Sequence, residues 1–241
     1  AKNPDLIVVS GAITALAAKK ATASVPIVFM ALGDPVGIGA VRSLARPGGN
    51  VTGVSFISSE LAGKRVQLVK ALVPAAKRIV VLWDSRNTNA RAESGVALAA
   101  AASLQLKAEP IALASDADLP RALNRLQANR PDVLYVVFEG GTVATNGTLI
   151  AEFGVRHRVP VVSGWRNLTE AGGLISYAPD IPAMFRRSAS YVDRILRGAK
   201  PSELPVEQAT TVELVINART ARALGVTIPR EILLRADRVI E

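Results

Sequence analysis

The chain has 241 residues, 49% hydrophobic and 20% charged, enough to bury a substantial core in one large domain or two small ones. It contains no cysteine, which excludes disulfides and thiolate chemistry. Its formal net charge of +9 comes with only 4% aromatic residues, so the stacking platforms of a single-strand nucleic-acid binder are missing.

In chain order the apolar runs and helical patterns alternate. "DLIVVS" reads as a strand, "TALAAKKATA" as a helix, and "VPIVFM" and "NVTGVSF" as further strands. "ELAGKRVQLVKALV" is helical, "RIVVLW" a strand, "ARAESGVALAAAASL" a helix and "KAEPIAL" a strand. "DLPRALNRLQA" and "NGTLIAEFGVRH" are helical and flank the strand "DVLYVVF"; "VPVVSG" and "GGLISYA" are two more strands. The strands are short and apolar on both faces, as in parallel sheets covered by helices, so the fold class is α/β.

Two stretches share a plan. From Pro4 and again from Pro131 the order is Pro-Asp, apolar strand, Gly-containing turn, helix, Val-Pro, second strand. This predicts two lobes of like architecture, although any βαβ unit has a similar outline. The second copy is preceded by its own strand-helix-strand-helix from Arg78 to Arg130, the first by nothing. The expectation is a chain that begins inside its first lobe, without an opening strand and helix. The expected division is residues 1–74 plus 180–198 for lobe 1 and 75–179 plus 199–241 for lobe 2, with crossings near Pro74, Pro179 and Pro201.

In an open parallel sheet, ligands bind beyond the carboxyl ends of the strands, where turns lead into helix N-termini. "DSRNTNA" is such a turn. Asp84, Ser85, Asn87, Thr88 and Asn89 offer donors and acceptors in front of a helix expected from about Ala90. Asn89 alone could be an N-cap, but a cap needs one residue, not five. The corresponding turns are "SGAITA" from Ser10 and "EGGTVATNG" from Glu139, both with glycine where the backbone must turn tightly or approach closely.

Longer motifs point to a family. "ALGDPVGIGAVRSLARPGGNVTGVSF", "SELAGKRVQLVKALVP", "GWRNLTEAGGLISYAPD" and "YVDRILRGAKPSELPVEQATTVELVINARTARALGVTIP" closely resemble the ABC-transporter substrate-binding proteins whose members include tryptophan-binding lipoproteins. The resemblance runs from Asp5 to Glu241 and implies the two-lobed type I periplasmic-binding-protein fold with three crossings. It places ligand contacts at Ser10, Gly11 and Ala12, at Asp34 in "GDPV", at Ser85 and Asn89, and at Thr142. Amino-acid-binding relatives carry Asp-Asn immediately before that Thr, whereas this chain has Gly140 and Gly141. Side chains able to recognise a ligand ammonium are therefore missing there, and a bulkier or non-amino carboxylate becomes a candidate.

Glu139 and Gly140 join the candidate contacts through their turn. Trp165 and Tyr177 follow strand-like stretches, where an indole or phenol could stack on a flat ligand or pack into the core; Asp180 lies just past the crossing expected near Pro179. Trp83 ends a strand and is expected in the core.

Enzyme readings find little support. The one histidine, His157, sits at a helix end between two arginines, and without a second His or any Cys the common metal constellations cannot form. "GIGAVR" lacks the third glycine of a dinucleotide fingerprint, and no Gly-Lys-Ser/Thr phosphate loop occurs. The arginines, among them Arg42, Arg65, Arg121, Arg186 and Arg235, are scattered rather than gathered in a recognition element, so no nucleic-acid partner is expected. No apolar run approaches the roughly 20 residues of a membrane span, and "AKNPDLIVVSG" is not a signal peptide.

The expected function is a non-catalytic, monomeric, periplasmic receptor of an ABC importer. It would need no cofactor or metal, close two lobes on a small carboxylate-bearing ligand and deliver it to a membrane permease. The alternative is a ligand-sensing domain of a regulator, since the same fold serves as an effector module.

Overall fold

The computed structural model describes residues 4–56, 58–138, 141–209 and 211–241. In chain order the elements are β1 (Ile7–Val9), α1 (Ala12–Ala21), β2 (Ile27–Gly33), β3 (Val51–Phe56), α2 (Ser58–Leu72), β4 (Arg78–Asp84), α3 (Thr88–Ser103) and β5 (Lys107–Leu113). There follow α4 (Asp118–Ala128), β6 (Val133–Val136), α5 (Thr142–Thr145), α6 (Gly147–Arg156), β7 (Val161–Ser163), α7 (Arg166–Glu170) and β8 (Ile175–Pro179). The chain ends with α8 (Ile181–Leu196), a 3-10 turn (Pro201–Glu203), β9 (Glu207–Gln208), β10 (Val212–Asn217), α9 (Ala218–Leu224), α10 (Arg230–Leu233) and β11 (Arg238–Ile240).

Two compact units result, Ala1–Ile57 with Pro179–Thr211 and Ser58–Ala178 with Val212–Glu241. Each has its own sheet. The first unit carries four strands in the order β1-β2-β3-β9, paired in parallel. Val9, Ala15, Ile27, Phe29, Leu32 and Val206 form its core. Helix α8 packs on β2 and β3, and the Thr52 hydroxyl donates to the Leu204 carbonyl at 2.7 Å, fixing the segment that leads into β9.

The second unit carries seven strands in the order β11-β10-β8-β7-β6-β4-β5. Its central strands are buried on both faces, and their side chains alternate between two cores. Ile79, Val81 and Trp83 of β4, with Val133 and Tyr135 of β6, enter a cluster with Val66 and Val69 of α2 and Ala90 and Ala97 of α3. Val80, Leu82, Leu134 and Val136 point the other way, onto Leu119 and Leu126 of α4 and Ile150 of α6. This period-two division of continuous apolar runs is what a parallel sheet covered by helices on both sides demands.

The eight strands expected from the sequence all form; β9, β10 and β11, and helix α8, were not among the segments it marked. The divisions fall at residues 57/58, 178/179 and 211/212. The second lies beside Pro179, while the other two differ from the expected Pro74 and Pro201. Helix α2 belongs with the second unit because Val66, Val69 and Leu72 bury against α3 and the β4–β6 face. Residues 199–211 belong with the first because β9 pairs with β3.

Candidate functional site

In the first unit the expected contacts stand at the carboxyl ends of two adjacent strands. Ser10 and Gly11 follow β1, and Asp34 follows β2. Gly11 is the N-cap of α1 with φ +81°, a conformation glycine adopts without steric cost. Among the described residues no side chain caps this helix, so its first amides are open to an acceptor. Ser10 presents its carbonyl to the Thr14 hydroxyl at 2.5 Å, and Ala12 is buried. Asp34 has φ +38°, and its Oδ1 accepts from the Gly37 N–H at 2.8 Å, closing the turn on itself.

In the second unit, three neighbouring strand ends converge. Asp84 ends β4 and is 1% exposed. Its Oδ1 accepts from the Arg86 N–H at 3.0 Å and from Arg86 Nε at 2.9 Å. Its Oδ2 accepts from Arg86 Nη2 at 2.5 Å and from the Thr142 N–H at 2.9 Å. The Thr142 hydroxyl in turn accepts from Arg86 Nη2 at 2.8 Å and donates to Asp116, just past β5, at 2.5 Å. Burial alone would raise the Asp84 carboxyl; the Arg86 guanidinium and the N–H groups of Thr142 and Arg86 more than reverse this, and it sits at about 2. The Asp84 carboxylate holds Arg86 well above its ordinary value. Asp84 and Arg86 are therefore both ionised across the whole physiological range.

Asn87 is the N-cap of α3: its Oδ1 accepts from the N–H groups of Asn89 at 2.9 Å and Ala90 at 3.4 Å. The cap thus falls on Asn87, two residues before the position the sequence offered, because the helix already begins at Thr88. Ser85 donates its hydroxyl to the Leu113 carbonyl at 3.0 Å. Glu139 and Gly140 lie outside the described residues.

Trp165 follows β7 and is half-buried against the cluster that contains Leu168. Its ring lies 4.6 Å from that of Phe138, and its enclosed Nε1 has no partner among the described residues. Tyr177 sits within β8 and packs against the other core. Asp180 belongs to the first unit, where Oδ1 caps α8 by accepting from the Ala183 N–H at 2.9 Å. Trp83 is a core residue, as expected, with the Arg91 guanidinium carbon 5.3 Å from its ring centre.

The structure therefore gathers Asp84, Ser85, Asn87 and Thr142 on one edge of the second unit, and Ser10, Gly11 and Asp34 on one edge of the first. Sequence reasoning passed over Arg86 and Asp116. Arg86 stood inside the turn being read, but was one basic residue among 29; Asp116 is 26 positions from the threonine it meets.

Two α/β units with parallel sheets, candidate ligand groups at their strand ends and three chain crossings define a type I periplasmic-binding-protein fold. Within that class the chain belongs to the ABC transporter substrate binding protein family, whose model matches residues 1–240. A Streptococcus pneumoniae ABC domain solved in complex with L-Trp is 30% identical with a TM-score of 0.91, over 100% of this chain and 82% of that one. A conserved domain protein of Vibrio cholerae is 33% identical with a TM-score of 0.90, over 98% of this chain and 79% of that one. The tyrosine-binding protein of Clostridioides difficile is 27% identical over 221 residues, 91% of this chain; the match spans 63% of that relative's length.

Proposed function

We propose that the chain is the ligand-binding part of a periplasmic solute receptor that hands a small carboxylate-bearing ligand, an amino acid or an aromatic or other organic acid, to an ABC permease. It acts without chemistry on the ligand and without a cofactor. The observation that carries this reading is the placement of polar and charged groups at the carboxyl ends of adjacent parallel strands, Ser10 to Asp34 in one unit and Asp84 to Thr142 in the other. The uncapped N-terminus of α1 supports an anionic ligand group, since a helix N-terminus favours a negative charge by about 0.3–1 kcal/mol. The tyrosine and tryptophan ligands of the relatives make aromatic acids the first to try.

Thermal shift with L-tyrosine, L-tryptophan, benzoate, 3-phenylpropanoate and their methyl esters tests it. The acid that binds raises the melting temperature in a concentration-dependent way, and its ester does not. Equal shifts for acid and ester contradict the carboxylate reading; turnover of a bound compound contradicts the receptor reading.

A further inference from the structure

Arg65 of α2 and Glu93 of α3 are both 0% exposed, with Nη1 2.7 Å from Oε1. A buried ion pair is a poor way to gain stability, because desolvating two charges consumes most of their attraction. The other partners of the pair point to a different role. Glu93 Oε1 also accepts from the Tyr135 hydroxyl and from the N–H of Phe138, each at 2.9 Å. Arg65 donates through Nε to the Tyr177 carbonyl at 2.6 Å and through Nη1 to the Tyr135 hydroxyl at 3.1 Å. Its guanidinium carbon lies 5.5 Å from the centre of the Phe138 ring, the ring that meets Trp165. Burial pushes the Tyr135 hydroxyl far above its ordinary value, so it stays protonated and can serve both partners.

Phe138 and Tyr177 occupy informative places. The first lies two residues past the end of β6; the second lies just before the division at 178/179. We propose that Arg65 and Glu93 are positioning residues for the ligand edge of the second unit. Glu93 fixes the main chain of Phe138, and with it the Phe138–Trp165 ring contact. Arg65 ties the middle of β8, at the Tyr177 carbonyl, to the same point. The proposal rests on reading this edge as a ligand site, yet its first test needs no ligand.

The test compares two adjacent amides. Val137 N–H donates to the Leu82 carbonyl at 3.0 Å in the strand ladder, while Phe138 N–H donates to Glu93. In Glu93→Gln, hydrogen exchange at Phe138 should speed up at least tenfold relative to Val137, and in a Trp83→Phe background, where Trp165 is the remaining tryptophan, emission should shift. Should Glu93→Gln not fold, the double change Arg65→Met with Glu93→Leu removes both buried charges and should show the same local signature in a folded protein. Equal acceleration at both amides, or none at either, with wild-type Trp165 emission overturns the proposal, because the pair would then act on global stability alone. The second arm measures affinity for whichever of L-tyrosine, L-tryptophan or benzoate stabilises the wild type most. A loss of at least tenfold in the variant supports positioning of the ligand edge. A clear exchange signature with unchanged affinity overturns the ligand-edge part and leaves the main-chain positioning standing.

Discussion

The carboxylate of Asp84 fills the space that a side chain on Gly141 would need: a Cβ placed on Gly141 would stand 2.2 Å from Asp84 Oδ2. Gly141 also has φ +83°. Gly141→Ala should therefore cost roughly 1–3 kcal/mol of unfolding free energy, part from the backbone and part from displacing Asp84. In an Asp84→Ala background the collision disappears and the cost should shrink. A double-mutant cycle by denaturant titration measures the difference; additive losses would mean that the two positions do not meet.

Acid should act through the same carboxylate. The folded-state value of Asp84, about 2, lies below the ordinary 3.8, so the unfolded chain binds the proton more tightly and stability rises with pH between the two values. The contribution is complete above about pH 5 and is lost as the pH falls through about 2, amounting to about 1–2 kcal/mol once the exposure of Arg86 is allowed for. Asp84→Asn should be less stable at pH 7 and should lose less than the wild type between pH 5 and pH 2. Parallel curves for the two proteins would remove Asp84 from the acid response.

The cap of α3 is testable by a pair of small substitutions. Asn87→Ala should cost about 1 kcal/mol, whereas Asn87→Gly should cost only a few tenths, since glycine leaves the first amides open to water. Equal losses would show that the Asn87 side chain does something other than cap.

Trp165 divides its surface between the core and solvent. Trp165→Ala should lower unliganded stability by about 2–3 kcal/mol, less than the roughly 3–5 kcal/mol of a fully buried indole. Trp165→Phe, which retains a ring against Phe138, should cost less than half as much. Unchanged melting of Trp165→Ala would contradict the packing seen against Phe138 and Leu168.

Much of the fold was legible because long apolar runs leave little choice. Ile79 to Trp83 is apolar at every position, which in an α/β chain means a strand covered on both sides. By contrast, β9 is two residues, Glu207 and Gln208, with no pattern to read; it is a strand because Val54 and Ser55 offer an edge. The site was legible as a set of turns, since strand ends and small polar residues coincide. Its internal wiring was not. Nothing local marks Glu93 as buried, and charged residues in helices normally face water; its burial follows from Arg65 of α2 and from Tyr135 and Phe138 of the β6 segment, 28 to 45 positions away. For the same reason the polar run Asp84 to Asn89 could be found without telling which residue caps, which salt-bridges and which remains open.

The interleaving of the two units constrains how they are made. The sheet of the first is completed by β9, which pairs with β3 only after the whole of 58–178 has been laid down, and the sheet of the second gains β10 and β11 only after β9. Thr52 and Leu204 must find each other across 152 positions. Neither unit can be obtained by cutting the chain once, and a ribosome that has released only the first 178 residues has completed neither sheet. Such long-range parallel pairing is slow relative to local helix formation, leaving the growing chain with unfinished sheet edges until β9, β10 and β11 emerge.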